Sequence, residues 1–425
     1  MSHTLLFLNP GHFHAALTLR EIHPAVNEEI HVYAEEGPEL RVFLDMVASF
    51  NGRGERPTRW RPAVYTGPDY MEKLISGRRG EIVIIAGKND SKMAAINRLR
   101  QEGFHVLADK PWLIHVSGMD ALAQATAAPP HVMDIMTGRF EITHLLPARL
   151  AGEPDIFGDF RADGDGPAIS MDSVHHLYKI VNEKPLLRSA WYFDAAVQGD
   201  GIVDIPCHLV DKVLWLMRGE PVAYQRDVKL ESARIWTTAV PPEQFARITG
   251  EPAYPSYLEK DLRDGVLEYA CNGEFSFTLR GVSVRLMGEW RLEAPPGGGD
   301  TYQFLLRGSR ADIAVETNAG TGFRPEVFIR PHDDPGKVEQ ALRNKVAQWE
   351  GEFPGLAVAP AKTGWRLEIP AALRTSHESH FPMVLNEFLG YLDRGDWPAG
   401  HAETLRTKYT LTAKASAMAW AGRTP

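Results

Sequence analysis

Short apolar segments alternate with amphipathic stretches through the first third of the chain. Nearly continuous apolar runs predict buried β-strands at residues 4–9, 29–35, 82–86, 104–108 and 131–136. Residues 12–22 have helical composition, and residues 90–102 carry Met93, Ile96 and Leu99 on one helical face. Strands that are apolar on both faces and alternate with helices indicate an α/β fold, with a parallel sheet covered on both sides. Gly and Pro punctuate residues 51–62, which we expect to form an irregular basic insert.

The pattern changes after about residue 145. Successive β-prone segments without intervening helices indicate an antiparallel sheet, and they lie at residues 168–174, 266–271, 274–279, 282–292 and 301–306. Helices are predicted at residues 202–218, 381–392 and 403–420. Residues 331–370 are rich in charge, Pro and Gly, and no element is assigned to them.

These patterns predict two domains. Residues 1–145 are expected to form the α/β domain. Residues 146–425 are expected to form an α+β domain with a large, mostly antiparallel sheet, and its C-terminal helices are expected to pack back on the first domain.

Composition and charge narrow the classes of protein. The 425 residues include 46 Lys and Arg against 55 Asp and Glu, a formal net charge of −9, so no basic field attracts nucleic acid or a membrane surface. Cys207 and Cys271 are the two cysteines, too few for a disulfide framework. The first residues lack the basic start of a signal peptide. We therefore expect a cytoplasmic protein with a small-molecule substrate.

The turn after the first strand is a candidate nucleotide site. In a βαβ unit this turn brings backbone amides to a phosphate, and its usual fingerprint is G-x-G-x-x-G. Residues 9–14 read Asn-Pro-Gly-His-Phe-His, so the middle glycine, Gly11, is kept, with His12, Phe13 and His14 following it. Glu35 ends the second strand, where a carboxylate can bind a ribose diol and repel a 2′-phosphate. The pattern therefore favours NAD over NADP in a Rossmann-type domain, with Glu35 or the adjacent Glu36 as the ribose ligand.

Two further segments carry candidate catalytic groups. Lys110 follows the strand at residues 104–108, and ligands bind at the carboxyl ends of strands in such sheets. Asp204 and His208 are four residues apart in the predicted helix at 202–218, so both are expected on one face. A carboxylate beside an imidazole raises the pKa of that imidazole and makes it a competent proton acceptor. Each of these residues, considered separately, also has a non-catalytic explanation. Lys110 is then a solvated lysine, Asp204 a helix cap and His208 a buried structural histidine.

Together these segments resemble the Gfo/Idh/MocA family of glucose–fructose oxidoreductases and inositol dehydrogenases. The family's Glu-Lys-Pro is similar to residues 109–111, its glycine-rich Asp-x-x-x-His helix to residues 199–208, and its Thr-Pro-Asn turn to residues 87–89, which adds Asn89 to the cofactor candidates. The resemblance implies an NAD-dependent enzyme in which Lys110, Asp204 and His208 meet at the nicotinamide ring. Either Lys110 or His208 then takes the hydroxyl proton, with Asp204 orienting the imidazole or a neighbouring hydroxyl. A homodimer or homotetramer, formed through the open face of the second sheet, is also implied.

The substrate side has its own candidates. We expect one of the two adjacent histidines to line the pocket, and a sugar to find polar partners and an aromatic platform among His175, His176, Lys179, Trp191, Tyr192 and Gln198. A metal held by Asp204, His208 and a second-domain histidine would compete with Lys110 for the carboxylates, so no metal is predicted.

Three functions remain open from the sequence. The first is hydride transfer between NAD and a secondary hydroxyl of a sugar, polyol or glycoside. The second is a redox-neutral glycosidase or eliminase that keeps NAD bound and works through a transient 3-keto sugar. The third is a non-catalytic sensor of sugar or nucleotide, which the presence of all three ionisable residues disfavours.

Overall fold

The strands of the first sheet are apolar throughout because both faces of the sheet are buried. The structure, a computed structural model, describes residues 2–161, 166–181, 184–217, 219–332 and 334–422. Within these residues, the first domain has six parallel strands: β1 (Leu5–Leu8), β2 (Glu29–Ala34), β3 (Arg61–Thr66), β4 (Ile82–Ile85), β5 (His105–Asp109) and β6 (Val132–Ile135). Their spatial order is β3-β2-β1-β4-β5-β6. In β1, Leu5 and Phe7 enter one hydrophobic core while Leu6 and Leu8 enter the core on the opposite face.

Five helices accompany this sheet in the described residues: α1 (His14–Leu17), α2 (Pro38–Gly52), α3 (Tyr70–Gly77), α4 (Lys92–Gln101) and α5 (Met119–Ala125). Helix α6 (Ile142–Leu150) follows β6 but buries Ile142, Leu146 and Leu150 in the core of the second sheet. Helix α4 buries Met93, Ile96 and Leu99 as predicted.

Two predictions for this domain were wrong. The helix expected over residues 12–22 is one turn long, because the amides of Leu19 and Arg20 bond three residues back and the α-helical pattern ends. The segment 51–62 is not wholly irregular, since α2 extends to Gly52 and β3 begins at Arg61. Strand β3 is a half-exposed edge strand containing Pro62, and therefore lacks the apolar signal of its neighbours.

The second sheet is large and mostly antiparallel. Its ten strands in the described residues are β7 (Ile169–Tyr178), β10 (Val228–Val240), β11 (Leu262–Arg263), β12 (Val266–Leu279), β13 (Val282–Glu293), β14 (Thr301–Arg307), β15 (Ala311–Thr317), β16 (Glu326–Pro331), β17 (Ala357–Ala361) and β18 (Gly364–Glu368), while β8 (Ile180–Val181) and β9 (Lys184–Pro185) form a separate hairpin. The order is β10-β12-β13-β7-β14-β15-β16-β18-β17, with β11 on β12 and with β13 and β7 parallel.

The helices of this domain cover the sheet and return to the first domain. They are α7 (Ala195–Gln198), α8 (Ile205–Leu216), α9 (Tyr224–Asp227), α10 (Pro242–Thr249), α11 (Pro335–Gln348), α12 (His380–Arg394) and α13 (His401–Ala421). Helix α12 buries Phe381, Phe388 and Leu389 in a core of the first sheet. Helix α13 contributes Tyr409 to the other first-domain core and Leu411 to the core of the second sheet. Among the described residues, no helix has both the length and the apolar composition needed to span a bilayer.

Three details of the second domain differ from the prediction. The segments at 266–271 and 274–279 form one strand, β12, because Asn272 and Gly273 pair within the sheet instead of turning. The helix expected from residue 202 begins at Ile205. The unassigned segment 331–370 contains α11 and the β17–β18 hairpin.

Candidate functional site

A cavity of about 450 Å³ lies where the carboxyl ends of the first-domain strands face the second domain. The turns after β1, β4 and β5 form one wall, and β7, α8 and β13 contribute to the other. Most of the residues predicted for the cofactor, the substrate and the reaction line this cavity: His12, Phe13, His14, Asn89, Lys110, His175, Lys179, Trp191, Tyr192, Gln198 and His208. Asp204 is buried directly behind it, bonded to Lys110.

The Lys110 ammonium and the Asp204 carboxylate form a buried ion pair across the two domains. Lys110 Nζ donates to Asp204 Oδ1 at 2.6 Å, and the two side chains are 9% and 4% exposed. Burial opposes the charge of the lysine, but Asp204 outweighs it and raises the pKa of Lys110 above its usual value. The same pairing holds the pKa of Asp204 below its usual range, despite burial. Asp204 therefore favours the charged form of Lys110 at the end of β5.

Glycines bring Asp204 to this position. Gly199 has φ of +95°, and a Cβ on Gly201 would lie 2.2 Å from Asn272 N of β12. The turn can therefore press against the sheet only with glycine at residue 201. Asp204 is the residue that precedes α8, with φ −77° and ψ −87°, rather than part of the helix. Tyr192 donates its hydroxyl to Asp204 Oδ2 at 3.2 Å and completes the support of the carboxylate.

The predicted pairing of Asp204 with His208 was wrong. Because Asp204 lies before the helix, its carboxylate is bonded to Lys110, Tyr192 and Gln198, and no contact with His208 occurs in the described part of the chain. Burial, followed by the charges of Lys110 and Lys212, lowers the pKa of His208 well below its usual value. The imidazole of His208 is therefore neutral in the cavity, where the sequence had predicted a raised pKa.

Asp300 gathers three of the substrate-side candidates. Its carboxylate accepts from His175 Nδ1 at 3.1 Å, from His176 Nδ1 at 3.0 Å and from Lys179 Nζ. Of the two adjacent histidines, His175 lines the cavity and His176 is buried outside its lining. Sequence reasoning missed Asp300, because it lies in a Gly-rich loop before β14 with no local pattern around it.

The remaining candidates bridge the two domains. Asn89 Nδ2 donates to the backbone oxygen of Gln198 at 2.7 Å, which joins the turn after β4 to α7. Trp191 Nε1 donates to Glu39 Oε1 at 3.3 Å, which joins the second domain to α2.

A second group in the cavity has no counterpart in the sequence analysis. Lys212 follows His208 by one helical turn, and its Nζ lies 3.0 Å from His144 Nε2 and 3.3 Å from the hydroxyl oxygen of Tyr302. Burial lowers the pKa of Lys212 to about 7. No sequence motif pointed to these residues, which come from α6, α8 and β14.

The turn after β1 departs from the dinucleotide fingerprint in its hydrogen bonds. The amides of Gly11 and His12 both donate to Ala86 O, at 2.9 and 3.0 Å. His14, at the third glycine position, is buried with its Nδ1 3.0 Å from Asp109 Oδ2. Burial lowers the pKa of His14 to about 3. Glu35 is exposed immediately after β2, with its amide 3.4 Å from Asn9 Oδ1.

Comparisons with known proteins define the class of this molecule. Residues 146–420 match the family model described as "Putative oxidoreductase C terminal domain". A crystal structure of a "putative oxidoreductase" from Parabacteroides merdae ATCC 43184 is similar with a TM-score of 0.96 and 37% identity, over 99% of this chain and 98% of that one. Among curated proteins, none matches.

Two other solved structures are similar at lower identity. Levoglucosan dehydrogenase, in complex with NADH and levoglucosan, has a TM-score of 0.62 at 14% identity, over 99% of this chain and 98% of that one. A 3-ketoreductase from Actinomadura kijaniata, in complex with NADP and TDP-benzene, has a TM-score of 0.57 at 14% identity, over 97% of each chain.

The molecule is thus a two-domain oxidoreductase with the Gfo/Idh/MocA fold. The chain belongs to the family that carries the oxidoreductase C-terminal domain, since the match covers residues 146–420 and the Parabacteroides protein is similar throughout. The predicted fold class, the resemblance to Gfo/Idh/MocA proteins and the prediction of an oxidoreductase are confirmed.

The fold implies a nicotinamide dinucleotide, and the residues at the carboxyl edge of the sheet fit one. The cavity lining includes His12 and Phe13 after β1, Gly87 after β4 and Lys110 after β5. Glu35 presents a carboxylate at the end of β2, the position suited to a ribose diol. The diphosphate would meet a different donor set from the usual one, because Ala86 O occupies two amides of the glycine turn.

Proposed function

We propose that the protein transfers hydride between NAD and a secondary hydroxyl of a sugar, polyol or glycoside. The observation that carries this proposal is the meeting of Lys110, from the end of β5, with Asp204, at the start of α8, beside a cavity that His208 also lines. NAD, when bound along the carboxyl edge of the sheet, would supply the hydride acceptor. The protein groups would bind the hydroxyl and move its proton.

The proposal gives each ionisable group a distinct role. Lys110 is held as a cation by Asp204, so it cannot take up a proton and instead stabilises negative charge on the substrate oxygen. His208 lines the cavity with a neutral imidazole and accepts the hydroxyl proton in this proposal. Because burial makes this imidazole a weak base, the transfer depends on Lys110 making the hydroxyl more acidic. Asp204 is a positioning residue that fixes the ammonium of Lys110. This assignment makes His208 the base, a choice that the sequence left open.

The polar and aromatic residues on the far wall support a polyhydroxylated substrate. Trp191, Tyr192 and Trp290 line the cavity together with Lys179 and Asp300. Aromatic faces pack against the C–H faces of sugar rings, while charged and amide groups bond hydroxyls, so this mixture is suited to a carbohydrate. The similar levoglucosan dehydrogenase was crystallised with a sugar derivative, which agrees with this proposal.

Replacing His208 with glutamine is expected to lower kcat by about 100-fold, because a positioned general base contributes about 10²–10⁴ and Gln keeps only the polarity. Binding of NADH, followed by its fluorescence, should stay within about two-fold of wild type. A variant that retained wild-type kcat would remove His208 from the proton transfer. Thermal unfolding of the same sample separates a loss of folding from a loss of chemistry.

Replacing Glu35 with alanine is expected to weaken NAD binding by about ten-fold, because the ribose diol loses its acceptor. NADP binding should not weaken and should become tighter, because the 2′-phosphate loses a repulsive neighbour. Glu36→Ala is the matched control, since both carboxylates are exposed in the same loop. Titration calorimetry of both cofactors gives the ratio of affinities. A ratio unchanged in Glu35→Ala but altered in Glu36→Ala would move the ribose contact to Glu36.

The overall reaction is tested by incubating the protein with NAD and a panel of sugars, polyols and glycosides. Absorbance at 340 nm reports net NADH, and chromatography reports the products. NADH formed in step with a keto product is the expected result. Product without net NADH would instead establish the redox-neutral glycosidase or eliminase, and no product with any member would favour a sensor.

A further inference from the structure

Three potential metal ligands converge at the edge of the cavity, where the turn after β1 meets the end of β5. His12 and His14 follow β1 with one residue between them, and Asp109 ends β5. One ligand atom from each of the three side chains lies within 4.8 Å of the others. Both ring Nδ1 atoms approach the same carboxylate oxygen, Asp109 Oδ2, at 3.1 Å for His12 and 3.0 Å for His14.

The geometry of His12 is that of a ligand atom rather than a hydrogen-bond donor. Its Nδ1 is buried and has no aligned hydrogen-bond partner, although it lies 3.1 Å from Asp109 Oδ2. A close approach without alignment is expected of two ligands of one ion, because each atom is directed at the ion. His14 Nδ1 is instead aligned with both oxygens of Asp109, at 3.1 and 3.0 Å, and would exchange this hydrogen bond for the ion. Ligands about 2.1 Å from a tetrahedral ion lie about 3.4 Å apart, close to the separations here.

We propose that His12, His14 and Asp109 form a binding site for a divalent transition metal, with zinc as the ion. Two histidines and one carboxylate are a donor set that zinc accepts when a further position stays open to water or substrate. All three side chains line the cavity, so the open position faces the space in which a substrate would lie. A metal there would act on a substrate oxygen as a Lewis acid.

The surrounding charges are compatible with a cation. Asp109 supplies one negative charge, and the side chains of Asp109 and His14 are only 4% and 9% exposed. The ammonium of Lys110 is turned to Asp204 and is balanced by that carboxylate. Lys92 Nζ donates to the backbone oxygens of Asp109 and Pro111 and to the side chain of Asn89, so it does not compete for the carboxylate of Asp109.

Zinc content tests the site without cofactor or substrate, so its outcome is separate from that of the hydride-transfer proposal. The full-length protein, stripped with a chelator and dialysed against zinc chloride, is expected to retain one zinc per chain by elemental mass spectrometry. His14→Ala and Asp109→Asn should weaken zinc binding by more than about 100-fold, since loss even of an outer partner costs 10–100-fold. Cobalt substituted for zinc should give visible absorption bands that both variants lose.

His175→Ala is the matched control, because His175 also lines the cavity and also pairs with a carboxylate, Asp300. It is expected to keep one zinc. His12 is more exposed than His14, so His12→Gln is less disruptive to the fold and serves as a second test of the site. It should also lose the metal. Wild-type protein without zinc after dialysis would overturn the proposal, and so would equal loss of zinc in His175→Ala and His14→Ala.

Discussion

Replacing Lys110 with methionine should lower kcat/KM by about 10³-fold, provided that the ammonium stabilises the developing oxyanion. Methionine keeps an unbranched side chain, one heavy atom shorter, and removes the charge. Lys110 is the group that the fold brings to the end of β5 and that Asp204 fixes at 2.6 Å. Turnover of a substrate found in the panel, with NADH followed at 340 nm, measures the effect.

A second variant separates the catalytic effect of losing Lys110 from the loss of stability caused by an unpaired Asp204. Lys110→Met leaves the carboxylate of Asp204 buried without a counter-charge, which by itself destabilises the fold. The double variant Lys110→Met/Asp204→Asn removes both charges and should recover most of the stability but none of the activity. Recovery of turnover in the double variant would contradict the role assigned to Lys110. Lys362 is exposed between β17 and β18, so Lys362→Met is the control and should behave as wild type.

Replacing Lys408 with methionine should lower the free energy of unfolding by about 3–5 kcal/mol, the cost of breaking a buried ion pair on one side. Lys408 Nζ lies 2.6 Å from both Asp134 and Asp211 and is 1% exposed. Asp134 belongs to β6, Asp211 to α8 and Lys408 to α13, so this cluster ties the two sheets together. Without the lysine, the carboxylates of Asp134 and Asp211 lose the ammonium that they share, and Arg139 is the cation that remains near both.

Urea unfolding followed by tryptophan fluorescence measures this loss. Lys414→Met is the control on the same helix, because Lys414 lies 4.4 Å from the ring centre of Tyr224 and has a weaker cation–π contact. That variant should cost no more than about 1 kcal/mol. Equal losses in the two variants would mean that the carboxylates of Asp134 and Asp211 find other partners.

The strands of the first sheet were predictable because their physical cause is local. A strand buried on both faces needs apolar residues throughout, and Ile82–Ile85 is an example that needs no knowledge of its neighbours. Strand β3 was missed for the opposite reason, since an edge strand has one row of solvated positions and tolerates Pro62. The true length of β12 depends on the pairing of Asn272 and Gly273 with Trp236 and Ile235 of β10, which no short window along the sequence contains.

The candidate site also has a part that could be predicted from the sequence and a part that could not. Lys110, Asp204 and His208 were found because they stand in short motifs with fixed spacing. Their electrostatics were not predictable, because the low pKa of His208 arises from burial and from two lysines in other positions.

Two groupings at the site depend on distant residues. Asp300 meets its histidines across 125 residues of chain, and His14 meets Asp109 across 95. Such pairs are set by the order of strands in each sheet, and a single sequence shows that order only in outline.

A crystal structure with bound NADH and a sugar from the panel tests whether hydride transfer takes place in this cavity. The nicotinamide ring is expected to enter the cavity beside Lys110, with one sugar hydroxyl within about 3 Å of both Lys110 Nζ and a ring nitrogen of His208. A nicotinamide ring bound elsewhere, or a sugar whose nearest hydroxyl contacts neither side chain, would contradict it.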